Sequence, residues 1–567
     1  MGARENSEST ASVSVWLAYG RDQAQVIRNL CTNDFTTNSG ISVDLKLVSG
    51  GTLLPSILAN MGPDAYLGLG QADVINYAIR GALMNIEDMD GYDEIVKNFN
   101  DAAMVVLQMD DADGDTHCYG LPENQQFPMM FVRMDILADL DIEVPKTWEE
   151  LYVAQSKLES NNMEIGVTTN YKIFLYQLGG ELFADNGMRI NLDSQVGLEA
   201  FETMCDMFTQ YSFPYKYEAA NRFRTGEMPI IISDYTALYN HLKVFATELD
   251  GSWMFVPLPG YTQEDGSINN CSVSACTAAV MIKGKADITP AKYQTDAEYK
   301  QALKDTYGNV WTFVKWYTDA PCQVDYATEM VAIIGDSAKH STANYAALEE
   351  MPWTEAERTE VTKQFSNLAS IPNYPGYYII DRYTNFAFLA AYNKKVDPST
   401  KMLSYINIIN KEITRKREEF NLETLEIGQT LAKKRTGQAN EALAILAEKY
   451  GASTQGNQYK AAYDVARYGL TNQKPAQLEE AALLFAKHLD DASGTATRLI
   501  SGRMSGDAAT RKAATAELKT QSWFIFVSKQ TAETRNGGYR IDSLNEQQLI
   551  YFIAECLANT ASALNSY

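Results

Sequence analysis

No run of about 18 consecutive apolar residues occurs in the chain, so no segment is long and apolar enough to cross a bilayer as a helix. Histidine is scarce. The four present, His117, His241, His340 and His488, show no HExxH spacing and none lies near a GxSxG turn. A Walker loop is missing as well, so the zinc-peptidase, serine-hydrolase and P-loop readings lose their motifs. Carboxylate pairs of the kind used in glycoside hydrolysis arise by chance among 72 acidic residues, and the chain is read as a non-enzyme. The 7 cysteines, Cys31, Cys118, Cys205, Cys271, Cys276, Cys322 and Cys556, are odd in number and lack metal-ligand spacing. Only Cys271 and Cys276 are near neighbours, and five residues apart in a strand-like segment they point to opposite faces. Neither a disulfide framework nor a zinc site is expected, no cofactor is implied, and most of the cysteines read as small buried hydrophobes.

Positive charge is in deficit: 48 Lys and Arg stand against 72 Asp and Glu, a formal charge of −24. That balance argues against nucleic acid or an anionic membrane surface as the main partner. The polar residues 1–10 have neither the apolar core nor the cleavage site of a signal peptide. A cytoplasmic chain and a processed, exported one are both open. The Ser/Glu/Thr composition favours the second, as the tether left when a lipid anchor is cut away. The acidic turn at 110–115 invites a calcium reading, but its glycine is misplaced for an EF-hand loop and the EF-hand glutamate is missing; it is read as a solvated hairpin turn.

What is present suits a globular protein. A chain of 567 residues exceeds one core, so two or three domains are expected. An apolar content of 46% with 11% aromatics is enough to fill them. The stretch 119–135, YGLPENQQFPMMFVRMD, places Glu123, Asn124, Gln125 and Gln126 directly before a Met- and Phe-rich strand. Such a polar row reads either as a surface loop or as a chain crossing between two lobes with its polar groups in the cleft. Upstream, strands at 13–17 and 41–48 alternate with helices, one opening at Tyr19-Gly20-Arg21-Asp22 and one over 52–59, and a short buried strand ends in glycine before Gln71. Alternation of this kind means a parallel sheet, whose ligands lie beyond the carboxyl ends of its strands, where Tyr19, Arg21 and Gln71 fall. Further on, Thr147 and Glu150 form a capping box that starts a helix at about 148. Strands are expected over 165–169, 230–232, 253–257 and 275–282, with helices over 170–178 and 194–211.

The motifs GPDAYLGLG, YGLPENQQFPMMFVRMDIL, PKTWEEL, FRTGEMPIIISDY and VPLPG occur in that order. Together they resemble the extracellular solute-binding proteins of ABC importers, in the group that binds maltodextrins and other oligosaccharides, over roughly residues 12–425. The resemblance implies an α/β, two-lobed periplasmic-binding-protein fold of type II-like form, each lobe a sheet flanked by helices, that closes on its ligand like a hinged clamp. It divides the chain into 12–125 with about 283–330 as lobe 1, and 126–282 with about 331–425 as lobe 2. It also implies an oligosaccharide ligand, ABC permease subunits as partners and an extracytoplasmic, lipid-anchored location.

Carried over by position, the family's cleft falls on Tyr19, Arg21 and Gln71, on Glu123, Gln125 and Gln126 at the crossing, on Asn170 and Tyr171, on Asp234 and Tyr235, and on Tyr378 and Arg382. These types fit a pyranose, whose hydroxyl rim needs paired donors and acceptors and whose C–H faces suit aromatic rings. Second readings stay open: Tyr19, Tyr235 and Tyr378 as core aromatics, Glu123 as an exposed turn residue, Arg21 and Arg382 in structural ion pairs. The chain departs from the maltodextrin binders in having Asp234 and a Tyr-rich loop where they often place tryptophans.

Residues 426–567 differ in kind. They hold 16 basic against 14 acidic residues, a local +2 within a chain of −24, and a single proline, Pro475. Apolar residues recur at helical spacing, as Leu478, Ala482, Phe485 and Leu489, and as Leu549, Ile553 and Leu557 behind a Ser543/Glu546 capping box. An all-α C-terminal bundle of four to six helices is expected, native or fused, entered straight or nearly straight from the helix at 408–420, for which an unknown protein partner is conceivable. Members of the family end near position 420. A peptide or other polar solute, or a surface sensor acting through the bundle, are the competing functions.

Overall fold

The computed structural model describes residues 11–111, 115–284, 286, 288–451, 457–505, 508–518, 520–521, 541 and 544–565. The leader 1–10, residues 112–114 of the acidic turn and Ser543 lie outside them. The chain divides into two compact units, Met1–Phe420 and Asn421–Tyr567.

The first unit holds two principal sheets, built from β1 (Ala11–Leu17), β2 (Ile41–Leu47), β3 (Ala65–Gly70), β4 (Leu121–Gln126), β5 (Pro128–Arg133), β6 (Ile165–Gly166), β7 (Ile230–Asp234), β8 (Trp253–Val256) and β9 (Ala275–Met281). The first sheet runs β2-β1-β3-β9-β4, with β1 parallel to β2 and β3, and β9 antiparallel to β3 and β4. The second runs β8-β5-β7-β6, with β5 antiparallel to β7 and β8, and β7 parallel to β6. Each sheet has its own cores. In β1, Val13, Val15 and Leu17 are buried at alternate positions and pack with Val26, Ile27, Phe35 and Phe313, the period-two pattern of a strand with one face inward. β5 is buried on both faces: Met130 and Val132 join one cluster, Met129 and Phe131 another. That two-sided burial explains its unbroken apolar run.

Phe127 alone separates β4 from β5, so the chain changes lobes within one residue. One expectation needs correcting. The strand expected at 275–282 inside the second lobe's span is β9, and it inserts between β3 and β4 of the first sheet. Ala278, Ala279, Val280 and Met281 are all buried there, and ladder bonds on both edges hold the strand. The capping box is present: Glu150 N donates to Thr147 Oγ1 at 3.2 Å, and Thr147 N to Glu150 Oε2 at 3.3 Å. The acidic turn lies between the antiparallel strands Gln108–Asp110 and Thr116–Cys118.

The second unit is helical, with Leu425–Tyr450, Lys460–Asn472, Pro475–Ala486, Thr495–Arg503, Ala508–Leu518 and Glu546–Asn565 among its described helices. Consecutive residues Leu549 to Ala554 of the last helix are all buried, so it runs through the middle of the bundle. Asn545 and Gln548 form its reciprocal cap. The helical backbone is interrupted at the junction: helix Pro398–Glu419 stops at Phe420, and Asn421 adopts φ 56° before the next helix begins. A left-handed residue of this kind ends a helix.

Candidate functional site

On the first lobe the expected residues converge on one another. Tyr19, just past β1, lays its ring against Gly68, whose φ is +78° and where an added Cβ would stand 2.6 Å from the ring. Only glycine fits both the backbone angle and the close approach. The Gly68 amide donates to Glu123 Oε2 at 2.7 Å, and the Tyr19 and Tyr317 hydroxyls both donate to Oε1, the latter at 2.7 Å. Glu123 is 1% exposed. Burial raises its carboxyl pKa, and the three donors oppose that rise. Burial, then the carboxylate itself, pushes both tyrosine hydroxyls well above their ordinary range.

Glu123 is therefore neither an exposed turn residue nor open to a ligand; it pins β1, β3, β4 and helix Asp296–Thr318 together. Gln125 is equally committed: its Nε2 donates to Asn100 Oδ1 at 3.1 Å and Ser274 Oγ at 2.9 Å, and its Oε1 accepts from Asn100 at 3.0 Å. Gln71 accepts the Cys276 amide at 2.7 Å on Oε1 and the Asn373 amide at 2.9 Å on its carbonyl. Gln126 donates to Thr236 Oγ1, and its Oε1 is buried without a partner. Arg21, at the start of helix Arg21–Leu30, is exposed.

The second lobe is arranged differently. β6 and β7 run parallel, and past their carboxyl ends opens a cavity of about 530 Å³, within the range of about 300–1,000 Å³ typical of small-molecule sites. The strand expected over 165–169 stops at Gly166, and Val167, Thr168 and Thr169 turn into the cavity wall. Asp234, the last residue of β7, lines it beside Pro128, Ile232 and Ser233, as do Tyr215, Lys216 and Tyr217 from the loop after helix Gln195–Thr209. The Tyr217 hydroxyl donates to the Val167 carbonyl at 3.2 Å, and its ring packs where a side chain on Gly166 would stand, 2.9 Å from an added Cβ. Asp234 is reached by solvent yet ringed by protein, and the partial desolvation raises its carboxyl pKa. It forms no ion pair with any described residue.

A second cavity of about 250 Å³ shares Thr168 and Thr169 with the first and is lined by Asn170 and Tyr171. Here Lys172 Nζ meets Asp381 Oδ1 at 2.6 Å.

Among the expected residues, then, Asp234 enters the first cavity and Asn170 and Tyr171 the second. Tyr235 is fully buried, stacked on Phe127 at 4.5 Å between ring centres, and belongs to an aromatic core with Phe255 and Trp353. Tyr378 is 54% exposed and donates to Glu412, while the Arg382 guanidinium lies 5.6 Å from the Phe386 ring; neither lines either cavity. Sequence reasoning missed Thr168, Thr169, Tyr215, Lys216, Tyr217 and Asp381. The paired tyrosines of YKY were the one available signal.

The sequence profile of the family described as bacterial extracellular solute-binding protein matches residues 20–324. Comparison with curated protein sequences finds no match. Among solved structures, the sugar-binding protein MalE of Xanthomonas citri aligns with a TM-score of 0.58 at 16% identity, over 73% of this chain and 100% of that one. The cyclic alpha-maltosyl-1,6-maltose binding protein of Arthrobacter globiformis gives 0.56 at 15% identity, over 71% and 99%. MalE of Listeria monocytogenes in complex with maltose gives 0.53 at 14%, over 72% and 98%. At such identities the likeness establishes the fold.

Proposed function

Since the chain belongs to the bacterial extracellular solute-binding proteins, we propose that it captures an oligosaccharide between its two lobes and delivers it to the permease of an ABC transporter. The observation that carries the reading is the cavity past β6 and β7, where the Asp234 carboxylate faces the same space as Tyr215 and Tyr217. A carboxylate accepts two hydroxyl hydrogens from a sugar rim, and tyrosine rings cover its C–H faces. The Listeria protein is in complex with maltose and the Arthrobacter protein is a cyclic alpha-maltosyl-1,6-maltose binding protein, and both sugars are of this chemical class. Thr169 and Tyr217 serve as further hydrogen-bonding groups in this reading, and Arg21 closes over the ligand from the first lobe.

The protein acts by binding rather than by catalysis. It works outside the cytoplasm, held by a lipid anchor in its precursor. The helical unit lies beyond the matched residues and serves a protein partner, so removing 421–567 is expected to leave sugar affinity intact.

A thermal-shift screen of oligosaccharides against peptides tests the reading. Ligand at about 100 times its Kd adds roughly 2.7 kcal/mol of stability, and a rise in Tm is expected with a neutral oligosaccharide. A rise with peptides and none with any sugar overturns it.

A further inference from the structure

The charge of the chain is unevenly spread. Residues 1–376 hold 24 basic and 52 acidic residues, a balance of −28, whereas residues 377–417 hold 8 basic and 3 acidic, a balance of +5. The basic stretch is the pair of helices Tyr377–Lys394 and Pro398–Glu419, joined by three residues. We propose that the outward face of this pair rests on an anionic lipid bilayer, so that the second lobe meets a membrane surface by one defined side. This role is independent of the solute held between the lobes.

The inward sides of both helices belong to the second lobe's core, through Ile380, Ala387, Phe388, Met402, Ile409 and Ile413. The outward side keeps apolar groups in solvent: Tyr378, Phe386 and Ile408 are 54%, 40% and 42% exposed. The Tyr383 ring centre lies 5.6 Å from that of Phe386 and 4.9 Å from that of Tyr405, which joins the aromatics of the two helices into one surface. Cations lie over it, with the Arg382 guanidinium 5.6 Å from the Phe386 ring centre and Lys401 Nζ 4.7 Å from that of Tyr405.

The acids of the pair are already matched. Asp381 meets Lys172 at 2.6 Å, Glu412 meets Arg415 at 2.6 Å, and Asp397 caps the second helix by accepting the Thr400 amide at 2.8 Å. Arg382, Lys394, Lys395, Lys401 and Lys411 form no ion pair with any described residue. The unmatched charge is therefore positive. Basic side chains among aromatic ones suit a headgroup layer, where lysine and arginine meet lipid phosphates and amphipathic rings settle at the apolar boundary. In physiological salt, charges farther than about 8 Å are largely screened, so the face turned to the bilayer decides, and the net −24 of the chain does not. No helix among the described residues is long and apolar enough to cross a membrane; the contact is peripheral.

Co-sedimentation of the full chain with phosphatidylcholine vesicles, with and without phosphatidylglycerol, tests the proposal. The wild type is expected to bind the anionic vesicles at least about tenfold more tightly than the neutral ones, and to lose that preference as salt rises toward about 0.5 M. Arg382→Glu with Lys401→Glu should remove the preference, and Phe386→Ser should weaken binding about threefold. The same charge change at the exposed first-lobe residues Lys46 and Lys97, made as Lys46→Glu with Lys97→Glu, should leave binding within about twofold. An unchanged Tm shows that each variant folds. Equal binding to both kinds of vesicle, no binding to either, or an equal loss in the first-lobe control overturns the proposal. Affinity for soluble poly-glutamate with none for vesicles also overturns it, and would point to an acidic polypeptide instead.

Discussion

Glu123, inside strand β4, and Asp234, the last residue of β7, are both carboxylates of the sheets, and their surroundings differ in kind. Glu123 receives two tyrosine hydroxyls and a backbone amide inside the first lobe, and Gln125 nearby is tied to Asn100 and Ser274. Asp234 stands in the wall of an open cavity and forms no ion pair with any described residue. Residue type does not separate the two roles. A buried acid whose oxygens are fully matched holds strands in place, whereas one left unmatched in a concavity has its hydrogen-bonding capacity available for a ligand.

The comparison can be broken from either side. Glu123→Ala should have the largest effect, leaving two hydroxyls and an amide without an acceptor in a dry interior; a loss on the order of 3 kcal/mol or more in urea unfolding is expected. Sugar affinity of the protein that still folds should be unchanged, and a selective loss of affinity would move Glu123 into the site. Asp234→Ala should do the reverse. Removing a charged acceptor is worth about 1.5–3 kcal/mol of binding, or roughly 10- to 100-fold in Kd, with stability within about 0.5 kcal/mol.

His117 extends the first-lobe pattern. Its ring nitrogens lie 3.2 Å from Glu87 and 3.1 Å from Asp111. The Glu87 hydrogen bond, helped by Asp111 and opposed by burial, raises its pKa to about 9. Because the folded value exceeds the unfolded value of about 6.5, the stabilisation is complete below about pH 6.5 and disappears as pH rises through about 9. The stability gap between wild type and His117→Asn should therefore close between pH 7 and 10, from at most about 2 kcal/mol given partial solvent screening. Tyr378→Phe, on an exposed helix face, should matter least, within about 0.5 kcal/mol in stability and twofold in sugar affinity. A larger binding loss would bring Tyr378 back into the site.

Local features were legible in the sequence and distant pairings were not. Thr147 and Glu150 are three residues apart, and their capping box stands where the pattern puts it. The strand–helix alternation and the helical spacing of Leu549, Ile553 and Leu557 likewise match the structure. The Glu123–Tyr317 bond joins residues 194 apart and the Lys172–Asp381 pair residues 209 apart; no periodicity reports such contacts. The polar row at 123–126 therefore reads as a wet cleft, whereas Glu123 and Gln125 within it belong to an internal network. The Tyr215–Lys216–Tyr217 wall escaped notice because a loop between helices has no repeating pattern. The segment that forms β9 reads equally as part of either lobe for a related reason: burial on both faces is the same letter pattern in either sheet.

Hydrogen exchange on the full chain, with and without a saturating oligosaccharide identified by thermal shift, tests most directly where recognition resides. Slowed exchange centred on 167–172, 215–217 and 232–235 is the predicted result. Protection confined to the first lobe around 19–21, 68–71 and 121–126, with none past β6 and β7, would contradict the assignment of the ligand to the second lobe.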